Sequence, residues 1–214
     1  MTKISFCGIS GSGMSALAQI RLHQGYEVRG SDRSFDQGKD QNNKQALEKL
    51  GIKIYPQDGS AITDDLDVLY VSTAVEDTIP DVKAALGKNI PIRKRSDLLA
   101  DIFHGYGHNI AVGGTSGKTT VTAMIGYILD RLGQKPCMID GGLLLNYADR
   151  EGIPNIIYNE GDICVIEADE SDGSIEKYHP YVALINNISI DHKPIPELQK
   201  LFQDFADRAK HGVV

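Results

Sequence analysis

The stretch Gly113-Gly-Thr-Ser-Gly-Lys-Thr-Thr120 constrains this chain more than any other. It follows the β-branched run Asn109-Ile-Ala-Val112 and opens a helical stretch from Lys118 to Leu132. A strand, a glycine turn and a helix start together aim several backbone N–H groups and a helix N-terminus at one spot, which suits a bound polyphosphate. Lys118 then supplies a point charge for the β and γ phosphates, and the Thr119 hydroxyl reaches Mg²⁺. The commonest form of the motif wants Gly at position 112, where Val stands. The shorter Gly-Thr-x-Gly-Lys-Thr form keeps its strand before and its helix after. The expected ligand is a magnesium nucleoside triphosphate.

A loop of this kind needs a mostly parallel sheet covered by helices, and the rest of the chain supplies the alternation. Strands are expected at Ile4–Cys7, 27–29, 53–55, 68–71 and 90–92, with helices at Met14–His23, Gln41–Leu50 and Val82–Leu86. A second series runs from 109–112 through the helix at 118–132 to strands at 137–139, 163–166 and 182–185. The Gly-rich joint Gly105-Tyr-Gly-His108 separates the two, giving an N-terminal parallel-sheet domain over 1–106 and an α/β domain with the phosphate loop from 107 to 214. Pro196 to Lys210 reads as an amphipathic helix with Leu198, Leu201, Phe202 and Phe205 on one side, and Gly212-Val-Val214 as the first residues of a strand. An α/β domain that stops there is expected to be truncated, and its open sheet edge to bring marginal stability or self-association.

Composition narrows the ligands. A net charge of −7 over 214 residues argues against a broad nucleic-acid surface, so an anionic ligand is held locally by backbone N–H groups and a few cations. Cys7, Cys137 and Cys164 stand far apart in apolar runs and fit neither a disulfide framework nor a zinc site. With no apolar stretch long enough to span a bilayer and no signal-peptide core, a soluble protein of the reducing cytoplasm is expected. Oligomeric state is not legible from these features.

The strand Ile163-Cys-Val-Ile166 delivers Glu167, Asp169, Glu170 and Asp172 to the sheet edge where ligands bind. Glu167 is the first candidate for the metal of the nucleotide, against the alternative of a solvated acidic loop. One strand later comes Asn186-Asn-Ile188 and then Asp191-His-Lys193, where His192 is either a structural or solvated histidine or a metal or phosphate group. Near the N-terminus, Gly8, Gly11 and Gly13 follow the first strand as Gly-x-x-Gly-x-Gly, a variant of the dinucleotide fingerprint. Asp32, in Gly30-Ser-Asp32, is either a ribose or uridine contact or a helix cap.

Gly8 to Met14, Gly30-Ser-Asp32, Ser72-Thr-Ala74, Arg95, Gly114 to Thr120, Glu167-Ala-Asp-Glu-Ser-Asp-Gly-Ser174 and Asp191-His192 together resemble the Mur ligase family in order and spacing, along essentially the whole chain. The resemblance implies a Rossmann-like UDP-sugar domain over 1–106, a truncated P-loop ATPase α/β domain over 107–214, and a C-terminal ligase domain that this chain is expected to lack. It implies phosphate binding by Gly114, Thr115, Ser116, Gly117, Lys118, Thr119 and Thr120, and magnesium at Thr119, Glu167 and His192, with Lys118, Glu167 and His192 as the catalytic set. UDP-sugar contacts fall to Ser10, Gly11, Gly13, Met14, Asp32, Ser72 and Thr73. The implied reaction joins a UDP-N-acetylmuramate-type carboxylate to an amino acid or peptide amine through an acyl phosphate, at the expense of ATP, in peptidoglycan synthesis or recycling. A fragment of this kind is expected to be inactive alone. A ligase of folates or amino-acid polymers and a non-catalytic UDP-sugar or ATP sensor are the competing readings. Ser116, Ile79 and Lys193 depart from the pattern, which offers His, Asn and an apolar residue there.

Overall fold

The computed structural model describes residues 1–72, 76, 78–171, 173–190 and 194–214. They form two compact units, one of Met1–Leu98 with Leu143–Asn155 and one of Leu99–Gly142 with Ile156–Val214. The chain therefore crosses between units three times, and residues 143–155 belong by their contacts to the first unit although they follow the phosphate loop in sequence.

The first unit contains β1 (Lys3–Cys7), α1 (Ser12–His23), β2 (Glu27–Ser31), the short α2 (Arg33–Asp36), α3 (Gln41–Leu50), β3 (Lys53–Tyr55), β4 (Val68–Val71), α4 (Pro80–Gly87) and β5 (Ile92–Lys94). Its sheet is parallel throughout, in the order β3-β2-β1-β4-β5. Ile4, Ser5, Phe6 and Cys7 are all buried, because helices cover both faces of the central strand. The order reverses between β1 and β4, which opens a crevice beyond their carboxyl ends. The last strand pairs at 92–94 and not at 90–92: Pro91 has no N–H to give, and only its carbonyl joins the ladder, accepting from Leu69 N at 2.9 Å.

Helix α5 (Arg95–His104) carries the first crossing. The second unit continues with β6 (His108–Gly113), α6 (Lys118–Arg131), β7 (Cys137–Ile139), β8 (Ile156–Ile157), β9 (Ile163–Glu167), β10 (Val182–Ile185), α7 (Ile195–Asp207) and β11 (Gly212–Val213). Its six strands run β11-β10-β6-β9-β7-β8, parallel except for the antiparallel β7–β8 pair. The α/β class expected from the sequence is thus what the chain adopts, with one sheet parallel and the other mixed. Helix α6 lies so close to β7 that a Cβ on Gly126 would meet Met138 Cγ at 2.6 Å. Helix α7 ends three residues before the expected Lys210, and Leu198, Phe202 and Phe205 are its buried face while Leu201 is half-buried. Phe202 and Phe205 pack beneath Gly113, where a Cβ would lie 3.1 and 3.3 Å from their rings.

Candidate nucleotide sites

In the second unit β6 lies between β9 and β10, so the loop after β6 has a strand end on either side. Gly114 and Gly117 hold φ of +139° and +77°, conformations that L side chains rarely adopt. Space is short as well: a Cβ on Gly114 would stand 3.2 Å from the backbone of Asn187, and one on Gly117 2.8 Å from Asn186 Nδ2, which would have to move aside. The loop is therefore a fixed backbone concavity capped by the start of α6, with Ser116, Thr119 and Thr120 exposed and Thr115 buried.

Asn186 and Asn187, immediately after β10, brace that loop. Asn187 Oδ1 accepts from Thr115 Oγ1 at 2.8 Å and Ser116 N at 3.1 Å, and its Nδ2 donates to Ser116 O at 2.8 Å. Asn186 Nδ2 donates to the same carbonyl at 2.9 Å. Ser189 N donates to Thr115 Oγ1 at 3.0 Å. No role for these asparagines emerges from the sequence, although two carboxamides after a strand at the ligand edge are suited to holding both a donor and an acceptor of a loop.

Lys118 Nζ donates to Gly114 O at 2.7 Å and to Glu170 Oε2 at 2.8 Å, in a pair whose side chains are 15% and 6% exposed. Glu167 ends β9; its Oε2 accepts from Thr119 Oγ1 at 3.1 Å and its Oε1 from Gly141 N at 2.7 Å. Beside it stands Asp140, a residue the sequence did not single out, 2% exposed and accepting from Gly142 N at 3.1 Å. Burial, and after it the hydrogen bond to the neighbouring Glu167, push the Asp140 carboxyl up to about 7. One alcohol and two carboxylates at the ends of α6, β9 and β7 form a corner of hard oxygen donors, of the kind that suits Mg²⁺. Among the described residues there is no cluster of three or more acidic, His or Cys groups shaped for a metal, and His192 and Asp172 lie outside them.

In the first unit the glycine turn closes on β2. Gly8, at φ +87°, and Ile9 both donate to Ser31 O, at 2.9 and 3.1 Å. Asp32 accepts from Ser10 N at 2.8 Å through Oδ2 and from Ser34 N at 2.9 Å through Oδ1, so it caps α2 and ties that cap to the turn. Ser10 Oγ donates to Asp40 at 2.9 Å. Gly11 is exposed at the N-cap of α1, Gly13 is half-buried, and Met14 is buried, its side chain 2% exposed. Arg95 lies over the first turn of α1: a Cβ on Gly13 would be 2.9 Å from its Nη1. Ser72 follows β4 and sits beside Gly8, a Cβ on which would be 3.9 Å from Ser72 Oγ. Thr73 lies outside the described residues.

A phosphate-type loop on one sheet and a glycine turn at the switch point of another define a class, the α/β proteins of two units that each carry a glycine-rich loop at a strand end. Within it, residues 3–106 match the Mur ligase family catalytic domain and residues 112–194 the Mur ligase middle domain. The chain belongs to the Mur ligase family. It is 37% identical over 206 residues to the UDP-N-acetylmuramate–L-alanine ligase of Caulobacter vibrioides, covering 94% of this chain and 41% of that protein. The same-named protein of Nitratidesulfovibrio vulgaris is 40% identical over 189 residues, covering 88% and 39%. Among solved structures, the UDP-N-acetylmuramate-alanine ligase of Thermotoga maritima superposes with a TM-score of 0.84 at 29% identity, over 99% of this chain and 48% of that one. The UDP-N-acetylmuramate:L-alanyl-γ-D-glutamyl-meso-diaminopimelate ligase of Neisseria meningitidis gives 0.80 at 27%, over 98% and 69%. The chain spans about two fifths of the length of the curated relatives it matches.

Proposed function

We propose that this chain carries the nucleotide-sugar and ATP sites of an ATP-dependent, amide-forming ligase that acts on a UDP-N-acetylmuramate-type carboxylate in peptidoglycan synthesis or recycling. The observation that carries the reading is the backbone concavity of residues 114–117 at the start of α6, where Lys118 bonds Gly114 O and Thr119 bonds Glu167. Positioning and charge neutralisation are what phosphoryl transfer needs from a protein. The N–H groups of 114–120 bind the phosphate chain, and Lys118 exchanges its bond to Glu170 for the β and γ phosphates. Thr119 and Glu167, with His192 as a further ligand, would hold Mg²⁺, which supplies charge neutralisation at the phosphoryl oxygens when bound. The substrate carboxylate takes the γ-phosphoryl group with release of ADP, and the amine of an amino acid or peptide then displaces phosphate from the acyl phosphate to form the amide. In the first unit, the turn at Ser10, Gly11, Gly13 and Met14, with Asp32, Ser72 and Thr73, receives the UDP-sugar. Arg95 adds a cation beside the helix N-terminus that would face the pyrophosphate.

The test is a calorimetric titration of the chain with a non-hydrolysable ATP analogue, with and without Mg²⁺. Saturable binding that Mg²⁺ strengthens is expected, with a loss of about a hundredfold on Lys118→Ala and loss of the Mg²⁺ effect on Glu167→Ala. Folded variants that bind as the parent does would remove these residues from the site.

A further inference from the structure

The excursion 143–155 leaves the second unit at Gly142, directly after the corner formed by Asp140 and Glu167, and is held to α1 of the first unit by side chains almost wholly withdrawn from water. Gln19, 1% exposed, accepts from Ile153 N at 2.9 Å through Oε1 and donates to Asn155 Oδ1 at 2.9 Å through Nε2. Asn155, 0% exposed, donates from Nδ2 to Ser12 O at 2.8 Å and Ser15 Oγ at 3.1 Å. Gly152, at φ +91°, is forced by the same fit: a Cβ there would be 2.3 Å from Gln19 Oε1 and 2.6 Å from Leu50 Cδ1. Apolar packing alone tolerates small slips, whereas a fully paired buried amide network specifies one register.

The network reaches the start of α1. Ser12 and Ser15 form the first turn of α1, and Ser15 N donates to Gly11 O at 2.9 Å within the glycine turn itself. We propose that Gln19 and Asn155 are positioning residues of the nucleotide-sugar site, which fix the helix N-terminus that meets the sugar's phosphates without touching the ligand. The inference rests on the UDP-sugar reading of the first unit. It adds that the site is made from two stretches of chain, and that the second stretch comes from beyond the phosphate loop.

Asn155→Ala and Gln19→Ala in the full chain, titrated with UDP-N-acetylmuramate and separately with the ATP analogue well below their unfolding temperatures, test this. Expected is a sugar affinity weakened about tenfold at unchanged stoichiometry, with the ATP-analogue affinity unchanged. Ser15→Ala, which removes a single contact and stands in if either variant does not fold, is expected to weaken the sugar two- to threefold, an order-of-magnitude share of the same network. A lower unfolding temperature with the parent's sugar affinity would overturn the proposal and leave the network a structural tie. Failure of the parent chain itself to bind the sugar would instead overturn the reading on which it rests.

Discussion

Asp140 stands buried beside Glu167 because β7 lies next to β9 in the sheet. Its carboxyl gives a pH prediction. The folded value near 7 lies above the ordinary 3.8, so between those pH values the folded chain holds a proton that the unfolded chain has released. Stability therefore falls as pH rises through that window, by at most about 1.4 kcal/mol per unit, and the cost of the buried charge is fully present above 7. Asp140→Asn keeps the acceptor for Gly142 N and removes the charge. In Mg²⁺-free buffer it should raise the unfolding temperature more at pH 8 than at pH 5; an equal or reversed effect would show that Asp140 does not carry this buried proton. The order β6-β9-β7 hides the adjacency that makes Asp140 significant from a reading along the chain. Lys118, Thr119 and Glu167 stood out by residue type, since a strand, a glycine turn and a helix suggest what is needed at each place, and the structure joins Lys118 to Gly114 O and Thr119 to Glu167.

At the level of elements, strands with a β-branched run and a glycine turn behind them were readable, as β1 and β6 show, whereas two-residue β8 offers too little pattern to find. Helix α5 went unread although Leu98, Leu99, Ile102 and Phe103 are buried at helical spacing, because the neighbouring Gly-rich joint drew the boundary. The glycine loop before α6 is braced from the side by Asn186 and Asn187. Asn187→Ala removes the carboxamide's bonds to Thr115 and Ser116 and leaves those from Ser189 and Asn186, so ATP-analogue affinity should fall about tenfold, as expected when several hydrogen bonds that hold a loop are lost. Gly114→Ala should be worse, since it adds a backbone clash at a φ of +139°. Calorimetry on both variants checks the order; a Gly114→Ala protein that binds as the parent does would show the loop to be adaptable.

Across the molecule, family and architecture were readable, and the composition of the units was not. Residues 143–155 join the first unit, where Gln19 meets Asn155, a long-range match that no local pattern announces. The excursion buries Leu144, Tyr147 and Ile153 besides its amides, too few apolar positions to read locally as anything but loop. The glycine turn and the Asp32 cap were legible as a pair, and Asp32 turns out to be both cap and tie, which is why it is the residue on which the sugar claim can be tried. Every role proposed for the first unit depends on its receiving a UDP-sugar. Calorimetric titration with UDP-N-acetylmuramate, compared with UDP-N-acetylglucosamine, measures that step. Saturable binding that prefers the muramate and weakens about tenfold on Asp32→Ala, through loss of the bonds that hold the turn, is expected; a folded chain that binds neither sugar would overturn the UDP-sugar reading.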